Sequence, residues 1–181
     1  EPSYLPHPVA AQRVLDLVPD VRLVVMLRNP VERAYSHYQH RFTRNREQRT
    51  FEEVCATDKE ILKDGWDNLP NGDLIRLGNA HYSYRPRGFY SEQLKKWKAI
   101  FPSEQVLMIK AEDFFANTQT VYDEVLTFLG LPEHRLVEHK RQNVGKYTEA
   151  MSDEIRKDLA DYYRPQNQKL YELLNCDFDW D

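Results

Sequence analysis

The residues best placed to do chemistry lie in one short run. Arg28, Asn29 and Pro30 directly follow the apolar segment Leu23-Val24-Val25-Met26-Leu27, and Ser36 lies a little further on. A guanidinium is a planar fork of donors that suits phosphate or carboxylate oxygens. Where a strand's carboxyl end meets a helix N-terminus, free N–H groups and the helix dipole favour an anion. Two readings follow. One is an anion site built on Arg28. The other is an ordinary strand-to-helix junction, with Arg28 paired to a surface carboxylate and Ser36 bonded to its own helix.

The elements that must position these residues can be read around them. Leu23 to Leu27 are apolar without alternation, which predicts a strand covered on both faces, as in a parallel sheet. Asn29 suits an N-cap and Pro30 the first helical position. Val31, Ala34, Tyr35, Tyr38 and Phe42 then recur at helical spacing, with Asn29, Glu32, Arg33, Ser36 and His40 on the other face. This helix is expected to run to about residue 46. Pro8 to Val18 predicts a short helix before the strand, and Thr50 to about Lys63 another after it. Gly88 to Pro102 reads as a helix with Tyr90, Leu94, Trp97 and Phe101 in one stripe. Val106 to Ile109 is a second buried strand. Asn117 is expected to cap a helix ending at Gly130, and Ser152 to cap the last one. The pattern predicts an α/β fold, a three-layer arrangement of a parallel sheet flanked by helices, in one domain over residues 1–181.

Two long stretches lack periodicity. Gly65 to Arg87 interleaves Trp66, Tyr82 and Tyr84 with Arg76, Arg85 and Arg87. Rings cover the apolar faces of sugars and Arg binds anions, so this could be an acceptor-binding lid, or a loop pinned to the domain by its aromatics. Glu133 to Ala150 is polar and basic.

Composition narrows the classes. The chain has 181 residues, 41% of them hydrophobic and 12% aromatic, enough for one real core. The net charge of -4 gives no general reason to expect nucleic acid, and no apolar run reaches transmembrane length. Cys55 and Cys176 have neither metal nor disulfide-framework spacing, and His37 and His40 lack a third ligand, so no metal is expected. A reducing, cytoplasmic location is the simpler reading. A Golgi-lumenal one applies if an export or anchor segment has been removed.

The run Arg28-Asn29-Pro30-Val31-Glu32-Arg33-Ala34-Tyr35-Ser36-His37-Tyr38 resembles the 3′-phosphate-binding segment of sulfotransferases that use 3′-phosphoadenosine 5′-phosphosulfate (PAPS). It is most similar to the heparan sulfate N- and 3-O-sulfotransferase branch. The resemblance implies that Arg28 and Ser36 hold the donor's 3′-phosphate. Asn143-Val144-Gly145-Lys146-Tyr147 resembles the family's Ser-Lys-Gly-Arg-Thr loop, which implies that Gly145, Lys146 and Tyr147 close over the 3′-phosphate and adenine. Lys146 stands where that loop has Arg, and Val144 where it has Lys. Tyr162-Tyr163-Arg164-Pro165-Gln166-Asn167 resembles a further family signature. The resemblance implies His40 and Tyr90 on the acceptor side, and the loop of aromatics and arginines adds Tyr84 and Arg85 as acceptor-side candidates.

The resemblance implies a P-loop-kinase-like sulfotransferase fold lacking its first strand and its phosphosulfate loop in these 181 residues. It implies in-line sulfuryl transfer from PAPS to a hydroxyl or amine of a small molecule or glycan, with adenosine 3′,5′-bisphosphate (PAP) as product. A carboxylate would act as base; the similar segment puts it two or three positions before Pro2, with Glu1 beside that place rather than at it. No nucleic acid or membrane partner is implied. The alternative is a non-catalytic module that binds the bisphosphate or a glycan. A nucleoside-phosphate kinase is disfavoured by the lack of a Gly-x-x-x-x-Gly-Lys-Ser/Thr loop.

Overall fold

A computed structural model describes residues 3–61, 84–137 and 150–180. Helix α1 (Ala10–Leu17) leads into strand β1 (Leu23–Leu27), which passes into helix α2 (Pro30–Phe42). Helix α3 (Phe51–Ile61) follows. A 3-10 turn at Pro86–Gly88 then opens onto helix α4 (Tyr90–Ile100). Strand β2 (Val106–Lys110) runs directly into the short helix α5 (Ala111–Ala116), and helices α6 (Thr118–Leu129) and α7 (Asp153–Leu174) complete the described elements.

β1 and β2 pair in parallel, with Leu23 opposite Val106 and Leu27 opposite Lys110. Side chains alternate across a strand. Leu27 and Val25 therefore share one face with Met108, and this face packs on Tyr90 and Leu94 of α4 and Leu170 and Tyr171 of α7. At the strands' other end, Leu23 and Val106 meet Ala11, Val14, Trp97 and Phe101. Helices α5 and α6 pack on the β2 side. Helix, sheet and helix thus form three layers. The expectation that β1 is covered on both faces is corrected: Val24 is 41% and Met26 47% exposed. The second face carries cover over β2 but not over β1 among the described residues.

A second core lies beyond the strand ends. Val31, Ala34, Tyr35 and Tyr38 of α2 pack on Phe51 and Val54 of α3, on Tyr84 and Phe89, and on Leu159 and Tyr163 of α7. Local chemistry sets the boundaries. Thr50 Oγ1 accepts from the Glu53 amide while Glu53 Oε2 accepts from the Thr50 amide, a reciprocal cap. Gly130 closes α6 in the left-handed region at φ 70°. Helix α2 ends at Phe42, earlier than expected, and Asn45 turns the chain at φ 55°. Asn117 precedes α6 without a side-chain cap bond. Helix α7 runs unbroken through Pro165.

Candidate functional site

The β1-to-α2 junction is built by the residues that the sequence singles out. Asn29 Oδ1 accepts from the Val31 amide at 2.9 Å and the Glu32 amide at 3.4 Å, and Pro30 occupies the first helical position. The peptide group joining Arg28 to Asn29 is fixed on both sides. Its carbonyl accepts from Tyr90 Oη at 2.8 Å, and its N–H donates to Glu112 Oε1 at 2.8 Å. Burial raises the Tyr90 phenol above its ordinary range, so the hydroxyl stays protonated and donates.

Arg28 itself lines a cavity of about 500 Å³ that follows the open side of β1. Tyr4, Leu5, Pro6 and Trp97 form its apolar wall, and Arg33, Arg87, Tyr90 and Gln93 its polar one. Among the described residues, three guanidiniums and no carboxylate line this wall. No protein hydrogen bond engages the Arg28 guanidinium or the Ser36 hydroxyl among the described residues. Arg33 donates to the Tyr84 carbonyl, yet its Nε is buried without a partner. The imidazole of His37, one residue past Ser36, reports the same excess of positive charge. Burial first, then Arg33, Arg87 and Arg41, hold it down at about 3, so it is neutral, and it packs on the Tyr84 ring at 4.7 Å. Anions of nucleotide size fit the chemistry of this wall.

The acceptor-side expectations divide. Tyr90 lines the cavity, although its hydroxyl is committed to the Arg28 carbonyl. His40 is exposed on α2 beside Arg44. Tyr84 and Arg85, by contrast, are both fully buried. Tyr84 donates its hydroxyl to Glu47 at 3.1 Å. The Arg85 guanidinium donates to the Cys55 carbonyl and to Asp158, and lies 3.8 Å from the centre of the Tyr162 ring. The Arg85 amide donates to Asp58 at 2.7 Å, and the Arg85 carbonyl accepts from Tyr163 at 2.8 Å. These two residues bolt α3 to α7. Glu1, Gly145, Lys146 and Tyr147 lie outside the described residues, as does most of the Gly65-to-Arg87 stretch.

Sequence reasoning missed Arg33 and Glu112. Arg33 sits on the polar face of α2 with Ser36, a signal that was available. Glu112 is the second residue of α5, which follows β2, and only the parallel pairing brings it to Asn29. Among the described residues no group of three or more His, Cys, Asp or Glu could hold a metal, and no helix is long and apolar enough to cross a membrane.

An arginine thus stands at the carboxyl edge of a parallel strand in an α/β fold, facing a cavity lined by two further arginines. The sulfotransferase domain family matches residues 4–169, and the chain belongs to that family. It is 26% identical to the membrane-associated sulfotransferase kil1 of Dictyostelium discoideum, over 99% of this chain and 52% of that protein. It is 27% identical to the bifunctional heparan sulfate N-deacetylase/N-sulfotransferase 4 of Mus musculus, over 96% of this chain and 21% of the relative. A crystal structure of a sulfotransferase from Alicyclobacillus acidocaldarius superposes with a TM-score of 0.76 at 30% identity. That match covers 98% of this chain and 64% of the other. The chain spans about half or less of the length of these curated relatives.

Proposed function

We propose that this chain carries the 3′-phosphate half of a PAPS site and takes part in sulfuryl transfer to a hydroxyl or amine. The observation that carries this reading is the Arg28 guanidinium, fixed at its backbone and unpaired at its side chain, on a cationic cavity wall. Arg28 and Ser36 would hold the 3′-phosphate, with the first turn of α2 behind them. Gly145, Lys146 and Tyr147 would close over the same end of the donor.

Transfer itself would be in-line. The donor supplies the sulfuryl group, its 5′-phosphate leaves, and the acceptor's proton passes to a carboxylate. Positioning and charge stabilisation would do most of the work, as in phosphoryl transfer. The names of the heparan sulfate relatives favour a sugar hydroxyl or amine as acceptor.

Calorimetric titration of adenosine 3′,5′-bisphosphate into the chain tests the reading, with Arg28→Ala as control. Saturable binding in the wild type, lost in the variant, supports it. Absence of binding by the folded wild-type chain, or equal binding by Arg28→Ala, overturns it.

A further inference from the structure

The peptide group between Arg28 and Asn29 is held by two residues from other elements, and the C-terminal tail braces both. Glu112 uses both carboxylate oxygens: Oε1 accepts from the Asn29 amide at 2.8 Å, and Oε2 accepts from the Trp180 indole N–H at 3.4 Å. The Trp180 ring also lies 6.0 Å from the ring of Tyr90, whose hydroxyl holds the Arg28 carbonyl. Trp180 is itself fixed. It is 5% exposed, stacks on Phe178 at 4.7 Å, and donates its amide to Tyr171 Oη at 3.0 Å. The family match ends at residue 169, so this tail lies beyond it.

We infer that Glu112 and Tyr90, braced by Trp180 of the C-terminal tail, are positioning residues that orient Arg28 for the 3′-phosphate. The inference rests on the donor reading given above. The physical basis is direct. A side chain's direction follows from its backbone, and a peptide group restrained at both its carbonyl and its N–H cannot rock. An orienting clamp lowers the ordering needed on binding, so it adds affinity without touching the ligand. Two of its members come from elements far along the chain, β2–α5 and the tail, so the anion site senses whether the tail is docked.

The test compares two nucleotides on the same chain. Adenosine 3′,5′-bisphosphate carries the phosphate that Arg28 would bind, and adenosine 5′-phosphate lacks it. Glu112→Ala is expected to weaken the bisphosphate about tenfold while leaving adenosine 5′-phosphate within about twofold. Trp180→Phe keeps a ring in the tail cluster but deletes the indole donor, and is expected to weaken the bisphosphate about threefold with the melting temperature nearly unchanged. Hydrogen exchange at the Asn29 amide reads the clamp without nucleotide, and should speed up about tenfold in Glu112→Ala. Unchanged bisphosphate affinity in Glu112→Ala overturns the inference, as does equal loss of both nucleotides. If the wild type binds no bisphosphate while Asn29 exchange responds as expected, the donor reading fails and the clamp stands. If exchange does not respond, the clamp fails.

Discussion

Gly88 lies directly against the ring of Tyr163. A Cβ at Gly88 would come within 2.6 Å of Tyr163 Cε1 and 2.9 Å of Pro30 Cβ. Neither neighbour can yield easily. Tyr163 is fully buried with its hydroxyl on the Arg85 carbonyl, and Pro30 is the first residue of α2. Gly88→Ala should therefore destabilise the chain by about 1–3 kcal/mol through overpacking. Thermal melting should show this as a fall of several degrees. An unchanged melting temperature would mean that α2 and α7 are less rigidly apposed than they look.

What was legible in the sequence was local. The apolar run of β1, the Asn29 cap and Pro30 lie within eight residues, and each has its own physical signature. Residues 84–85 show the opposite case. An Arg beside aromatics suits a sugar-binding lid and a core clamp equally well. The partners that decide it, Asp58, Tyr162 and Tyr163, lie 27 or more residues away. The two-sided burial expected of β1 failed for a related reason. Apolar character at Val24 and Met26 shows that these side chains can be buried, not that a neighbour covers them.

Arg85 as a clamp yields its own prediction. Arg85→Leu keeps apolar bulk but removes the donors to the Cys55 carbonyl and Asp158 and the contact with Tyr162. Urea unfolding should show a loss on the order of 3 kcal/mol, combining an unpaired buried carbonyl with an imperfectly filled space. Asp158 is about half exposed, so its carboxylate can rehydrate and adds little to that loss. A variant as stable as wild type would remove the clamp role and favour the acceptor-side reading of Arg85.

Two buried groups should give the stability curve opposing slopes in acid. His37 is held at about 3, below its ordinary 6.5, chiefly by burial and then by Arg33, Arg87 and Arg41. The unfolded chain binds that proton more readily, so stability present above pH 6.5 is lost as pH falls towards 3. Asp58 is pushed up to about 6 from 3.8 by burial, against its bonds from the Arg85 and Tyr84 amides and the charges of Arg85 and Arg33. Its folded form takes up the proton first, so stability present below pH 3.8 is lost as pH rises through 6. Relative to wild type, His37→Phe should gain as pH falls from 6.5, and Asp58→Asn should gain as pH rises from 4 to 6. Denaturant midpoints collected across pH 4–7 separate the two. Differences that do not vary with pH would remove both groups from the account.

The cavity wall makes a prediction about salt. Arg28, Arg33 and Arg87 face one cavity that no carboxylate lines among the described residues, so part of the affinity for a multiply charged nucleotide should be long-range. Arg87 sits on the 3-10 turn, whose carbonyls at Pro86 and Arg87 are held by Gln93. Arg87→Gln leaves those backbone bonds in place. It should weaken adenosine 3′,5′-bisphosphate about three- to tenfold at low ionic strength, with the gap closing towards 1 M salt, where the Debye length falls to about 3 Å. A gap that persists unchanged at high salt would mean that Arg87 makes a direct, desolvated contact with the nucleotide. No gap at any salt would confine the site's charge to Arg28 and Arg33.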